Sequence, residues 1–312
     1  MGGALFTVFT PTYNRAHTLP RVYASLATQT CRDFEWVVVD DGSTDGTREL
    51  VAGWRAAGDF PIVYQWQENA GKAAATNEGV RTASGELFLI ADSDDEFRPE
   101  ALERFRTHWL SIPAQERGTF TGVTALCCDA QGRVVGESFP HSPLDSDSLE
   151  LYYRYGIRGE KWGFHRTEVL RAHPFPVGTG TRHFPEDVVW RAVARRYKTR
   201  FVNDVLRVYH QDAGQQLTRS SPAQWRAFRT YYARRLCEDR EWLGVAPLAF
   251  YLIMVNYARF CFGEGERPAS QMARLDAAAL RLLWAAAAPV GIALAARDYL
   301  RERALAPASK KP

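Results

Sequence analysis

Four short apolar runs, at residues 5–10, 34–39, 61–66 and 86–91, alternate with helical patterns over the first hundred residues. No other feature constrains the fold as strongly. Leu19, Val22 and Leu26 share one helical face, with Thr18 as N-cap and Pro20 in the first turn. Leu50, Val51 and Trp54 share another, started by Ser43 or Thr44, and a third helix spans about 71–83 before the Gly85 turn. Strands joined by crossover helices pair in parallel and need helices on both faces. The prediction is an α/β fold with a Rossmann-like, mostly parallel central sheet.

The pattern changes after Pro99. A helix with Leu102, Phe105 and Trp109 on one face precedes a hairpin at 129–132, and a short helix is expected at 149–155. A further helix is expected at 186–197, then strand-like stretches at 200–202 and 205–209. From Pro222 the chain reads as helical and rich in Arg, Trp and Tyr. The expected division is a catalytic domain at 1–215, with halves 1–110 and 111–215, and a C-terminal helical region at 222–312.

Composition narrows the function. The 312 residues carry a net charge of only +3, too little to argue for nucleic acid. Five cysteines with no CxxC spacing suit a reducing cytosol better than a disulfide framework or a zinc site. The N-terminus lacks the basic region of a signal peptide. The longest charge-free apolar run, 282–296, is interrupted by Pro289 and falls short of the ~20 residues a spanning helix needs.

Ligands of open parallel sheets bind outside the carboxyl ends of the strands. The first predicted strand leads into Pro11-Thr12-Tyr13-Asn14-Arg15, and the second into Asp40, Asp41 and the Gly42-Ser43 turn. The fourth belongs to ELFLIADSDDEF, residues 86–97, and runs into Asp92, Asp94, Asp95 and Glu96. Helix capping cannot use so many acids at once, and buried carboxylates need partners. A divalent cation held by one or two carboxylates and by substrate phosphates would supply the missing charge. An EF-hand is excluded because Phe97 stands where its glycine is required and Pro99 interrupts the loop. Neither a Walker loop nor a GxGxxG turn is present. GTGTR at 178–182 is similar to the phosphate loop of sugar nucleotidyltransferases but lies too far along the chain.

Three blocks together resemble the family 2 inverting glycosyltransferases of the glycosyltransferase-A fold, within the nucleotide-diphospho-sugar transferases. They are TVFTPTYNRAHTLPRVYASLATQT, FEWVVVDDGSTDGT and ENAGKAAATNEGVRTASGELFLIADSDDEFRPEAL. The resemblance is dense over about 1–110 and looser to about 215. It implies that Pro11, Tyr13 and Asn14 frame the nucleotide and that Asp41 meets uracil N3–H. Asp92-Ser93-Asp94 looks like the DxD motif, with Asp92 facing the ribose and Asp94 binding Mn²⁺ or Mg²⁺. Asp95 would support the metal site or contact a sugar hydroxyl, and Glu96 would be solvated. Lys72 lies where the family often has a basic residue near the donor, although a solvated helix start reads the same way.

A metal beside the diphosphate neutralises the charge of the leaving group, and an inverting reaction also needs a base for the acceptor hydroxyl. The family's base lies in an ED-type motif, matched here by Glu186-Asp187, with Asp187 preferred. Two acids opening a helix would also complement its dipole. By resemblance, His210 would complete the metal site or touch the diphosphate, and Trp162 in EKWGF would stack on an acceptor sugar or else belong to the core. The implied partners are a UDP-sugar and a glycan or lipid-linked acceptor, at the cytoplasmic face of a membrane. Apolar helices flanked by Arg297, Arg301, Arg303, Lys310 and Lys311 fit a peripheral membrane contact, a packed subdomain or a homodimer interface. The competing functions are a catalytically silent nucleotide-sugar-binding scaffold and a sugar nucleotidyltransferase.

Overall fold

The computed structural model describes residues 3–177, 186–210 and 222–305. They form two compact units, residues 3–177 with 186–210, and residues 222–305.

In the first unit, β1 (Phe6–Thr12), α1 (Leu19–Ala27), β2 (Phe34–Asp40), α2 (Thr47–Ala57), β3 (Ile62–Trp66), α3 (Lys72–Thr82) and β4 (Leu87–Ile90) follow one another. The pairs β1–β2, β1–β4 and β2–β3 are all parallel. β1 and β2 are buried almost throughout, which is why they read as apolar runs without alternation. The second helix starts later than expected. The Ser43 hydroxyl accepts from Asn14 N–H at 2.8 Å, so Asp45 takes the Thr47 N–H instead. Thr18 also makes no side-chain cap for α1.

The second half is mixed. It comprises β5 (Glu96–Phe97), α4 (Ala101–Leu110), β6 (Phe120–Cys128), β7 (Leu144–Ser146), α5 (Ser148–Tyr153), β8 (Lys161–Arg166), α6 (Thr167–Ala172), α7 (Asp187–Ala194) and β9 (Lys198–Val208). Among the described residues nine strands form one sheet in the order β3-β2-β1-β4-β8-β6-β9-β5, with β7 on β9. β8 inserts antiparallel between β4 and β6. The core on one face gathers Trp36, Phe105, Trp109, Trp162 and Phe164.

The second unit is helical: α8 (Pro222–Glu238), α9 (Pro247–Gly263), α10 (Pro268–Ala273) and α11 (Ala278–Leu305). α9 buries Phe250, Met254, Tyr257 and Cys261. Gly291 lets α11 approach α9 closely, since a Cβ there would lie 2.6 Å from the Ala258 Cβ. α11 also corrects the expectation of a short, broken apolar run, because it passes through Pro289 without ending. Residues 285 and 289 both lie on its exposed side, so the carbonyl that loses its partner to the proline is not trapped in the core. The 24-residue stretch Ala278–Arg301 is long and apolar enough to cross a membrane by length and composition alone.

Candidate active site

The carboxyl ends of β1, β2 and β4 carry the polar loops that the sequence singles out. Hydrogen bonds lock the first two together. Asn14 has a φ of 53°, and its Oδ1 accepts from Thr44 N–H at 2.8 Å while its own N–H reaches Ser43. Asp40 accepts from Ser43 N–H at 2.7 Å and from the Tyr64 hydroxyl at 2.6 Å. Asp41 is buried and accepts from the Gln67 amide and from the N–H groups of Ala70 and Gly71, at 2.7–2.8 Å. Gly71 has a φ of 91°, which favours glycine at this turn into α3. A carboxylate offers about four acceptor positions, so three bonds leave Asp41 roughly one for a ligand. Pro11 lies within β1, and the Tyr13 ring beyond it is half exposed.

The acids after β4 have different fates. Lys72, the first residue of α3, places its Nζ 2.8 Å from Asp92 Oδ1 and 3.0 Å from Glu186 Oε1. Burial alone would depress the Lys72 ammonium, but the two carboxylates overcome it and hold it raised. Burial pushes Asp92 up, and Lys72, helped by Arg207 and Arg15, pulls it below the usual carboxylate range. Asp95 is almost fully buried, accepts from Asp92 N–H at 2.9 Å and faces Arg207 Nη1 at 3.4 Å. Burial, with Asp92 and Asp94 pushing the same way, raises its carboxyl to about 7 against the pull of Arg207. Arg207 also meets Glu160 at 3.2 Å. Glu96 is not merely solvated, because its Oε2 lies 2.7 Å from His210 Nε2.

Asp94 differs from its neighbours. Among the described residues its carboxylate has no hydrogen-bond or ion-pair partner, and only its backbone carbonyl is used, by Arg21 Nη1 at 3.1 Å. It is half-buried, two residues after Asp92. Carboxylate oxygens suit Mg²⁺ or Mn²⁺, ions that take one or two protein carboxylates and complete their shell with phosphate and water. Asp94 with Asp92 fits such a partial site. Among the described residues no three His, Cys, Asp or Glu side chains converge as a complete one.

Residues 7–115 match the model of glycosyl transferase family 2. The matched segment contains every loop described so far from β1 to β5. The relative from Bacillus subtilis named "Putative teichuronic acid biosynthesis glycosyltransferase TuaG" is 30% identical over 139 residues, 45% of this chain and 53% of TuaG. The aligned stretch spans 30%, 20% and 53% of three curated relatives. The structure of S. aureus TarS 1-349 in complex with UDP-GlcNAc aligns over 95% of this chain and 92% of its own, with a TM-score of 0.64 and 20% identity. The mannosyltransferase PcManGT from Pyrobaculum calidifontis, in complex with GDP-Man and Mn²⁺, aligns over 96% and 88% with a TM-score of 0.56 and 20% identity. At such identities the likeness shows the fold, glycosyltransferase-A.

Outside the matched segment the placements vary. Glu186 stands at the N-cap position of α7, where its side chain reaches Lys72 instead of capping the helix, and Asp187 is the first residue of that helix. Trp162 is a core residue rather than a sugar platform. Its ring stacks on Phe97 at 4.6 Å, its N–H donates to Ile90 O at 2.7 Å, and only 4% of it is exposed. His210 meets Glu96 on the strand-end seam beside β5 and β9. GTGTR at 178–182 lies outside the described residues. Sequence reading missed Arg207 and Arg21. The available signal for Arg207 was an arginine inside the apolar strand VLRVY, which needs a buried acid to face.

Proposed function

We propose that the chain is an inverting, metal-dependent glycosyltransferase that moves a hexosyl group from a nucleoside diphosphate sugar, with uridine as the base, to an acceptor hydroxyl. The observation that carries this reading is the divided fate of the loop acids. Lys72, Arg207 and His210 take Asp92, Asp95 and Glu96, while the Asp94 carboxylate is left uncommitted at the carboxyl edge of the sheet.

In this reading Asp94, with Asp92 beside it, holds Mn²⁺ or Mg²⁺, as the manganese in the PcManGT complex supports. When bound, the ion neutralises the charge that grows on the departing diphosphate. Tyr13 and Pro11 flank the base, the open acceptor position of Asp41 receives its N–H, and Asp92 faces the ribose. Lys72 places a positive charge beside the diphosphate. Asp187 accepts the proton of the attacking hydroxyl, with Glu186 fixing the start of α7 through Lys72. The catalytic domain is then 1–215, and 222–312 is an accessory helical region. The name of TuaG, with its teichuronic acid biosynthesis, supports a role in cell-surface polysaccharide synthesis, and in this reading the acceptor is a glycan or lipid-linked. Free thiols at all five cysteines agree with a reducing, cytoplasmic setting.

The test is donor hydrolysis. A UDP-sugar with Mn²⁺ should be turned over slowly by the parent and not by Asp94→Ala. A protein that binds the donor without hydrolysing or transferring it would favour the silent scaffold, and pyrophosphate release from a nucleoside triphosphate would favour a nucleotidyltransferase.

A further inference from the structure

The outer side of α11 departs from the usual pattern of a surface helix. Every exposed position between residues 282 and 296 is apolar, with Leu282, Val290 and Ile292 the large ones. A helix on a globular surface normally places charged residues there. Leu282 is 74% exposed. Arg281 precedes the apolar stretch and Arg297 and Arg301 follow it, all exposed, with Tyr299 between the last two.

The opposite side of α11 is already used. Leu280, Trp284, Ala287 and Gly291 are buried, Gly291 lies against Ala258 of α9, and Asp298 is bonded to Arg259 of α9. A helix spanning a bilayer in this arrangement would carry that ion pair and the packed flank of α9 with it. Only one side remains available to an apolar phase, and a one-sided helix lies along an interface. A second copy of the chain is the poorer occupant. In a two-fold contact along α11, antiparallel helices bring Arg281 against Arg297 and Arg301, and parallel helices bring each arginine against its twin. Asp298, bonded to Arg259, also lies 3.6 Å from Arg297 and compensates that arginine in part, but it pairs with neither Arg281 nor Arg301. Lipid phosphates accept all three arginines.

We propose that the outer side of α11 docks on an anionic phospholipid surface, with residues 282–296 at the acyl boundary and Arg281, Arg297 and Arg301 at the headgroups. The inference does not rest on the sugar-transfer reading.

Flotation of the full chain with vesicles tests it. The parent should float with phosphatidylglycerol–phosphatidylcholine vesicles and bind phosphatidylcholine alone about a hundredfold more weakly. Ile292→Glu should lose binding, and the double variant Arg297→Gln/Arg301→Gln should weaken it roughly tenfold. Both substitute exposed side chains, and circular dichroism checks their folding. Should Ile292→Glu fail to fold, Ala293→Lys on the same side carries the test and should also lose binding. Absence of parent binding, or unchanged binding by a folded Ile292→Glu or Ala293→Lys, overturns the proposal. A parent dimer in light scattering that Ile292→Glu converts to monomer also overturns it, in favour of a second copy.

Discussion

The two halves of the first unit handle charge in opposite ways. In the half built on β1 to β4, the polar groups at the strand ends are mostly spent on the scaffold. Asn14, Asp40 and Asp41 tie adjacent loops together by hydrogen bonds to backbone N–H groups. The half built on β6 to β9 and α7 sends charged side chains across to the acids that follow β4. Arg207 and His210 reach Asp95 and Glu96, and Glu186 meets Asp92 through Lys72. One half supplies a rigid frame, and the other sets Arg207 against its buried Asp95 and Glu186 against its Lys72. Asp94 is what the arrangement leaves over.

The most severe way to break this comparison is to remove the group assigned to chemistry while keeping the frame. Asp187→Asn should lower transfer about 10³-fold and leave donor affinity within a fewfold, as transfer assays and calorimetric donor titration would show. Loss of donor binding would move Asp187 out of the base role. Trp162→Ala tests whether that ring belongs to the frame. It should cost roughly 3–5 kcal/mol in denaturant unfolding. A folded variant of parent stability with a raised acceptor KM would return Trp162 to the acceptor surface.

Lys72 joins the two halves, so its removal should show on both sides. Lys72→Ala leaves two carboxylates without their shared cation and should weaken donor binding at least tenfold, with Lys72→Arg recovering part of it. Equal donor affinity in Lys72→Ala would reduce the bridge to a packing detail. The smallest effect is expected away from the site, at His165, which stacks on Trp190 and meets the Thr121 hydroxyl through Nδ1. Burial depresses its imidazole to about 4. The folded form therefore resists protonation more than the unfolded chain does. The stability this gives is present above about pH 6.5 and is lost as pH falls toward 4. His165→Phe should flatten that part of the stability–pH curve by on the order of 2 kcal/mol.

The parallel half was legible because β1 and β2 are buried almost throughout and the strands end in turn residues, so 34–39 and 61–66 match β2 and β3 within a residue or two. β6 and β8 were not. Lys161–Arg166 alternates small, polar and aromatic residues, and nothing local says that its partners are β4 and β6. The acids of the site could be read from sequence, but their partners could not. Lys72 and Glu186 are separated by more than a hundred residues, and only the fold brings them within 3.0 Å. Trp162 shows the reverse limit, since an aromatic residue in a polar segment looks alike whether it faces a sugar or Phe97. α11 is longer than the apolar run interrupted at Pro289 suggests, because packing on α9 carries the helix through the proline.

The central claim is that Asp94 is held in reserve for a divalent cation and a nucleotide sugar. Thermal unfolding of the parent and of Asp94→Asn, each with UDP-sugar and with or without Mn²⁺, addresses it most directly. The account predicts that Mn²⁺ adds several degrees to the stabilisation given by the UDP-sugar in the parent, and nothing in Asp94→Asn. An equal Mn²⁺-dependent increment in both proteins, or no stabilisation of the parent by any nucleotide sugar, would contradict it.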